Sequence, residues 1–244
     1  MPENRVNLEE WKGVPLPGPM TLAGHWVKLE PLSAAKHSHD LWQAVAGHDE
    51  LWAWMPDGPF ASEEEFAKAL KNKEAGAKTE TGPRFFAIIA VETGTAVGYA
   101  SLMRMDPVNG VIEVGNIVYS PALQRTPAAT EAMFLLARYV FEDLGYRRYE
   151  WKCNAQNSPS RRAAERLGFT SEGIFRQHMV VKGKNRDTAW FAMLDVEWPD
   201  RKRSFEAWLA LENFDSGGKQ KRTLRSFGPL RQPLRRKTDP YPHE

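Results

Sequence analysis

The stretch Val111-Ile-Glu-Val-Gly-Asn-Ile-Val-Tyr-Ser-Pro-Ala-Leu-Gln-Arg-Thr-Pro-Ala-Ala-Thr-Glu-Ala132 constrains the fold more than any other part of the chain. Its first nine residues, rich in β-branched side chains, read as a strand. Thr126-Pro127 then opens a helix, because threonine is a good N-cap and proline is favoured at the first helical position, where no N–H partner is needed. Ala129, Ala132, Met133, Leu136, Ala137, Val140 and Leu144 recur at helical period, and Gly145 supplies the stop. The pattern predicts a helix from about 127 to 144. The unpaired N–H groups of its first turn, with the helix dipole behind them, make a cradle for phosphate, and Arg125 adds a fixed positive charge.

The rest of the chain arranges itself around this unit. A strand starts near His25, and helices are expected over 38–46 and 63–75, the second with Ser62 and Glu65 as a capping box. Strands over 84–91, 96–104 and 111–119 form an antiparallel meander with turns at 93–95 and 106–110. After the long helix come a strand at 148–153, a helix at 159–167 with Ser158 as N-cap, two strands at 175–181 and 186–196, and a last helix at 199–211. The strand at 148 lies parallel to 111–119, because a helical crossover connects them. The expected fold is therefore α+β, one domain with a mixed, mainly antiparallel twisted sheet flanked by helices. The division is an N-terminal arm over 1–20, rich in proline (Pro15, Pro17, Pro19), a body over 21–212, and a basic tail over 213–244 that is disordered or loosely docked.

Composition narrows the function classes. Forty-two per cent hydrophobic residues exclude wholesale disorder. The longest apolar run, Phe85 to Val91, is far short of a membrane span, and the first residues lack the apolar core of a secretory signal. One cysteine, Cys153, excludes an intrachain disulfide and a thiolate metal cage, so a cytoplasmic protein without a metal is expected. His37 and His39 are too close for a helical zinc pair. The net charge of +2 hides an asymmetry: 213–244 holds eight Lys/Arg against three Asp/Glu, which leaves the body at −3.

Four segments in this order, Glu113-Val-Gly-Asn-Ile-Val, Gln124-Arg-Thr-Pro-Ala-Ala-Thr-Glu-Ala, Asn154-Ala-Gln-Asn-Ser-Pro-Ser-Arg with Leu167-Gly-Phe169, and Val181-Lys-Gly-Lys-Asn-Arg-Asp187, resemble the GNAT superfamily of acyl-CoA-dependent N-acetyltransferases. Its RimJ/RimL-like branch is the most similar, over residues 22 to 198. The resemblance implies acetyl-CoA as cosubstrate and direct attack by a primary amine, a protein N-terminal α-amine or a small-molecule amine, within a ternary complex. It implies that the loop Gln124 to Ala129 binds the coenzyme pyrophosphate through the N–H groups of Arg125, Thr126, Ala128, Ala129 and Thr130. Pro127 stands where the family has its first glycine and removes one donor. Ile117, Val118 and Tyr119 would hold the pantetheine arm and polarise the thioester through main-chain groups exposed by a bulge, and Asn157 or Asn154 its amide. Such a bulge at Gly115 also decides whether Glu113 and Ile117 share a face.

Glu113 is the candidate general base, since an attacking amine must lose a proton; an ion-paired residue on a strand face is the plain alternative. A tyrosine used by some members to protonate the departing thiolate is replaced by Ala164, and Ser160 fits that role by resemblance to RimL-like enzymes. Trp52, Trp54, Met55 and Phe60 fall where the family builds its acceptor pocket, with core packing as the alternative. Arg176, Arg186 and Asp187 read first as hairpin ion pairs and second as substrate contacts. Cys153, with no histidine nearby in sequence, reads as buried rather than nucleophilic. The tail could touch the ribosome, RNA or an acidic partner through phosphate attraction. The competing function is a non-catalytic acyl-CoA sensor acting through that tail. A monomer or a homodimer is compatible with the sequence.

Overall fold

The seven runs expected to be strands pair as one sheet, joined by a two-residue strand at Leu22–Ala23 that was not expected. In the computed structural model, which describes residues 8–228, these are β1 (Leu22–Ala23), β2 (Val27–Pro31), β3 (Arg84–Ala90), β4 (Ala96–Asp106), β5 (Val111–Tyr119), β6 (Arg148–Asn154), β7 (Thr170–Val181) and β8 (Lys184–Leu194), in the order β1-β2-β3-β4-β5-β6-β8-β7. All neighbours are antiparallel except β5 and β6. That pair is parallel because a helix, not a hairpin, connects it. The expected α+β architecture with a mixed, mainly antiparallel sheet is the observed one.

Two helical layers cover the sheet. On one face α1 (Ala34–Val45) and α2 (Glu63–Gly76) bury Leu41, Phe66 and Leu70 with Phe85, Tyr99 and Val118. On the other, α3 (Pro127–Arg138), the turn that continues it and α5 (Trp198–Leu209) pack Phe134, Phe141, Trp198 and Phe205 into one aromatic cluster. α4 (Ser158–Arg166) follows β6 directly. Helix caps follow the sequence with local adjustments. The Ser62 hydroxyl accepts the Glu65 N–H at 3.2 Å, while the Glu65 carboxylate reaches one residue further back, to the Ala61 N–H at 3.0 Å. The long helix ends its α-helical part at Arg138 and widens to a π turn over Tyr139–Asp143 before Gly145, at φ 74, closes it.

α1 starts four residues before the expected Ser38. The reason is that its first N–H groups find partners there: the Ser33 N–H donates to His37 Nδ1 at 3.1 Å and the Ala34 N–H to Glu74 at 2.9 Å. Burial holds the His37 pKa below its ordinary value, which keeps the accepting nitrogen unprotonated. A depressed histidine pKa means that the unfolded chain takes up the proton first, so this contribution is complete above the unfolded value near 6.5 and is lost as pH falls below it. The slope of stability against pH below neutrality should therefore flatten in His37→Gln, as read from denaturant midpoints at stepped pH.

Both ends of the described residues lie on the body. In the N-terminal segment the Val14 N–H donates to Pro107 O at 3.0 Å, and the Gly18 N–H to the Tyr139 hydroxyl at 3.1 Å. The expectation of a loosely docked tail fails for residues 213–228. Asn213 and Leu224 are buried, Phe214 packs edge-on against Trp26 and Trp208, and Gln220 accepts the Trp208 indole N–H at 2.8 Å. Spaced aromatic and leucine side chains among the basic residues anchor this stretch, although it lacks a helical or strand period. Arg231, Arg235, Arg236 and Lys237 lie outside the described residues.

Candidate functional site

The site begins where β5 and β6 part. Their parallel register runs from Val111↔Arg148 to Val114↔Trp151 and stops, while β5 continues beside β4 and β6 beside β8. The cause lies in β5. Three register steps of β5, from Gly115 to Val118, span what two register steps of β4 cover, from Ser101 to Tyr99, and Asn116 adopts φ 49 to absorb the excess. The bulge shifts the phase of the strand. Glu113 therefore shares a face with Val118 and Tyr99, whereas Ile117 joins Val114 on the opposite face. From Gly115 onward the β6 side of β5 has no partner strand.

The opening leads to a cavity of about 1110 Å³ bounded by β4, β5, the first turn of α3, the end of β6, α4, the β7–β8 hairpin, the loop at 51–56 and the C-terminal segment at 218–220. Of its charged lining residues, seven are cations, Arg104, Arg125, Lys152, Arg162, Arg166, Arg186 and Lys219, and one is an anion, Glu113. A wall of one sign in a low-dielectric cleft focuses the field and attracts anions. The body's net negative charge is thus reversed locally.

At the α3 end, Thr126 caps the helix and Arg125 takes φ 63. The Thr126 hydroxyl accepts the Ala129 N–H at 3.2 Å and donates to Leu123 O at 2.6 Å. This corrects the expected donor set. Ala129 is spent on the cap, the Thr126 N–H meets Leu123 O at 3.4 Å, and the Thr130 N–H belongs to the first helical hydrogen bond. The Arg125 and Ala128 N–H groups remain, since the second helical position has no carbonyl one turn earlier to pair with. Gln124 is turned back, its amide donating to Tyr119 O at 3.0 Å, so that carbonyl is also committed. The Tyr119 hydroxyl donates to Ala129 O at 3.1 Å and is raised in pKa by burial, which makes it a strut rather than an acid. Side-chain cations compensate for the lost donors. Arg166 donates to the Thr130 hydroxyl at 3.0 Å and lies over the Trp208 ring at 4.9 Å.

On the β6 side, Asn157, not Ser158, caps α4, accepting the Ser160 N–H at 3.1 Å, and Asn154 accepts the Gln156 N–H at 2.9 Å. Both oxygens are used and the amide NH₂ groups are left to donate. The Ser160 hydroxyl accepts the Trp151 indole N–H at 3.0 Å and retains its own proton for donation, with the Cys153 thiol as its neighbour. Burial pushes that thiol up in pKa, so Cys153 is an unreactive wall of the cavity.

Glu113 is 3% exposed and clamped. Arg104 Nη1 donates to both of its oxygens, at 3.2 and 2.9 Å, and Lys152 Nζ stands 3.0 Å from Oε2. Lys152 also pairs with Glu150 at 2.6 Å and rests 3.8 Å above the Trp190 ring. The network continues through Arg148 to Glu172. Charges so deep persist only when paired in this way. Arg104 and Lys152 escape sequence reading, since neither belongs to a motif; the one signal is that Lys152 and Glu150 alternate with apolar residues in a short strand.

Half of the aromatic segment expected at the pocket lines the cavity. Trp54 and Met55 line the cavity with Leu51 and Pro56, but Trp52 and Phe60 do not. Trp52 is 2% exposed and packs edge-on against Phe60 and Phe66, and Gly58 lies so close that a Cβ there would come within 2.6 Å of the indole. Lys182, at the tip of the β7–β8 hairpin, donates to Trp52 O at 3.0 Å, Asp57 O at 3.0 Å and Gly58 O at 2.7 Å, tying the hairpin to this loop. Lys182→Met should release the loop, read as backbone hydrogen exchange about tenfold faster at residues 52–58, the loss of one charged hydrogen-bonding group. Of the ion pairing expected among Arg176, Arg186 and Asp187, no close pair forms; the Asp187 carboxylate accepts the Gln177 N–H at 2.7 Å and the Asn185 amide at 3.0 Å, which lower its pKa, and the Arg176 charge adds to that lowering from further away.

Comparison with known proteins agrees with this geometry. Residues 27–170 match the family model described as an acetyltransferase (GNAT) domain. The crystal structure of a GCN5-related N-acetyltransferase from Brucella melitensis superposes with a TM-score of 0.86 at 51% identity, over 90% of this chain and 99% of that one. The uncharacterized N-acetyltransferase YnaD of Bacillus subtilis is 27% identical over 160 residues, 64% of this chain and 89% of its own length. A Salmonella typhimurium acetyl transferase that modifies the N-terminal serine of ribosomal protein L7/L12 shares the fold, with a TM-score of 0.61 at 20% identity over 72% of this chain and 99% of that one. With the β5–β6 opening, the bulge and the capped α3 terminus all in place, the chain belongs to the GNAT acetyltransferase family.

Proposed function

We propose that the protein is an N-acetyltransferase that moves an acetyl group from acetyl-CoA to a primary amine held beside Glu113. The observation that carries this reading is the opening between β5 and β6, which joins an anion-attracting helix terminus to an acidic side chain through one continuous cavity. The cavity suits the coenzyme in size and charge. The Arg125 and Ala128 N–H groups, with Arg162, Arg166 and Lys219, would take its phosphates, and the Asn154 and Asn157 amides its pantetheine carbonyls. When bound, acetyl-CoA supplies an activated acyl carbon and a thiolate leaving group.

The chain's own groups then do three things. The main chain of Ile117, on the unpaired edge of β5, offers a preorganised donor to developing negative charge, whereas Val118 faces β4, as does Ser120, whose N–H donates to Val97 O at 3.1 Å. Glu113 takes up the amine proton. Arg104 and Lys152 occupy three of about four lone-pair directions of its carboxylate, so one on Oε1 remains. Ser160 donates its proton to the departing sulfur, its oxygen being supported by the Trp151 indole, and regains a proton from solvent as Glu113 releases the amine proton to it. Ser160→Ala should lower kcat about 100-fold, the lower end of the range for acid catalysis, and leave the coenzyme A Kd unchanged.

The test is to incubate the protein with acetyl-CoA and panels of amino acids, polyamines and N-terminal peptides. Thiol release is followed together with the mass of each acceptor. One thiol released per acetylated nitrogen is the expected result; thiol release without any acetylated amine, or no coenzyme binding, overturns the reading.

A further inference from the structure

Arg186 is an unusual residue for a cavity wall. Its Nε is shielded from solvent without a hydrogen-bond partner, and no carboxylate pairs with its guanidinium among the described residues. Desolvation and the neighbouring Arg104 charge both hold its pKa below the ordinary arginine value, while Glu113 lies within electrostatic reach. On β8, Arg186 shares a face with Thr188 and Trp190, and Trp190 sits directly opposite Lys152 on β6. It therefore stands on the same side of the sheet as Glu113 and Lys152, the side against which the 51–56 loop closes.

Arg104 approaches from the other direction. It occupies an irregularity of β4 with φ 46, a conformation that non-glycine residues seldom adopt and that re-aims its side chain. Only its Nη1 engages Glu113, and the side chain is 40% exposed, which leaves further donors toward the cavity. Here three cations, Arg104, Lys152 and Arg186, surround one carboxylate, and Glu150 on Lys152 still leaves the two guanidiniums with less than one anion between them. A partly desolvated guanidinium without a partner is costly, and a planar fork of donors matches a carboxylate.

We propose that Arg186, assisted by the free nitrogens of Arg104, binds a carboxylate of the acceptor, so that the substrate class is an amine carrying a carboxylate close to the reacting nitrogen. The carboxylate is the α-carboxylate of a free amino acid or the side chain of an acidic N-terminal residue in a peptide. This rests on the acetyl-transfer reading and adds the acceptor's chemistry to it. The amine end is directed to Glu113 and the anionic end to Arg186, which fixes orientation as well as affinity. Trp54 and Met55 supply the apolar wall over the carbon skeleton between the two ends.

The experiment measures acceptor binding by calorimetry to the full chain saturated with coenzyme A, so that no transfer occurs. The probes are free glutamate and aspartate, their fully amidated counterparts, and C-terminally amidated peptides beginning with glutamate or glutamine. Carboxylate-bearing probes should bind about 10- to 100-fold more tightly than their neutral partners, as expected for a charge-assisted pair. Arg186→Gln should abolish that ratio and Arg186→Lys restore part of it, with the coenzyme A Kd unchanged in both. A preference confined to the free amino acids identifies the α-carboxylate, and one confined to the acidic peptide identifies the side chain; either supports the proposal. Equal binding of charged and neutral probes, or an equal loss for both in Arg186→Gln, overturns it and leaves acetyl transfer standing. Failure of the acetyl-transfer reading looks different, because the chain would then not bind coenzyme A, or would release thiol from acetyl-CoA without acetylating any amine.

Discussion

Replacing Glu113 by glutamine is expected to lower turnover by about 10²- to 10⁴-fold, the range for loss of a positioned base, while the coenzyme A Kd stays within twofold of the parent. The amide keeps the shape of the side chain and an oxygen for Arg104, and Lys152 retains Glu150 at 2.6 Å, so the fold should survive. Glu113→Ala behaves differently. It leaves a cation that is only 5% exposed with one carboxylate in place of two, and should cost roughly 3 kcal/mol in stability as well as turnover. Steady-state kinetics with denaturant unfolding on both variants separates the two effects. If the glutamine variant turned over at the parent rate, Glu113 would be a structural ion pair alone, and the base would have to be sought elsewhere.

The largest stability effect is expected at Glu131 on α3. Its carboxylate is 5% exposed and accepts the His25 N–H at 2.7 Å, the Trp26 N–H at 2.7 Å and the Val27 N–H at 2.9 Å, closing the turn that leads into β2. Gly24 must lie against it, since a Cβ there would fall 2.4 Å from the carboxylate. Glu131→Ala strands three backbone donors beside the core and should cost on the order of 4 kcal/mol, from the unmade charged bonds. Glu131→Gln should recover part of that loss, because one oxygen remains. Urea unfolding with an unchanged m-value would read it. A loss under about 1 kcal/mol would mean that water takes over the three N–H groups.

Much of the frame was legible because it rests on local rules. The Val111–Tyr119 strand has the limits its composition suggests, Thr126-Pro127 opens α3, and a helical crossover made β5 and β6 parallel. Residues whose roles depend on distant partners were not legible. Arg104 and Lys152 come from two strands and reach Glu113 only because the sheet order places β4, β5 and β6 side by side; Arg186 was named from the sequence as an ion pair or a substrate contact, but its place near Arg104 depends on β8 joining the same sheet. Glu131 belongs to a motif, yet its partners lie more than a hundred residues earlier in the chain. Trp52 and Phe60 looked like pocket residues from their neighbours, but the position of Gly58 against the indole turned them inward. The C-terminal segment misled for the opposite reason, since Phe214 and Leu224 dock individually with no period to announce them.

The central claim is that the coenzyme occupies the opening between β5 and β6. Backbone hydrogen exchange with and without acetyl-CoA tests it most directly. The account predicts slowed exchange at residues 115–119, at 124–130 and at the start of α4, with residues on the outer strand β7 unchanged. Protection confined to other parts of the chain, or none at saturating acetyl-CoA, would contradict it.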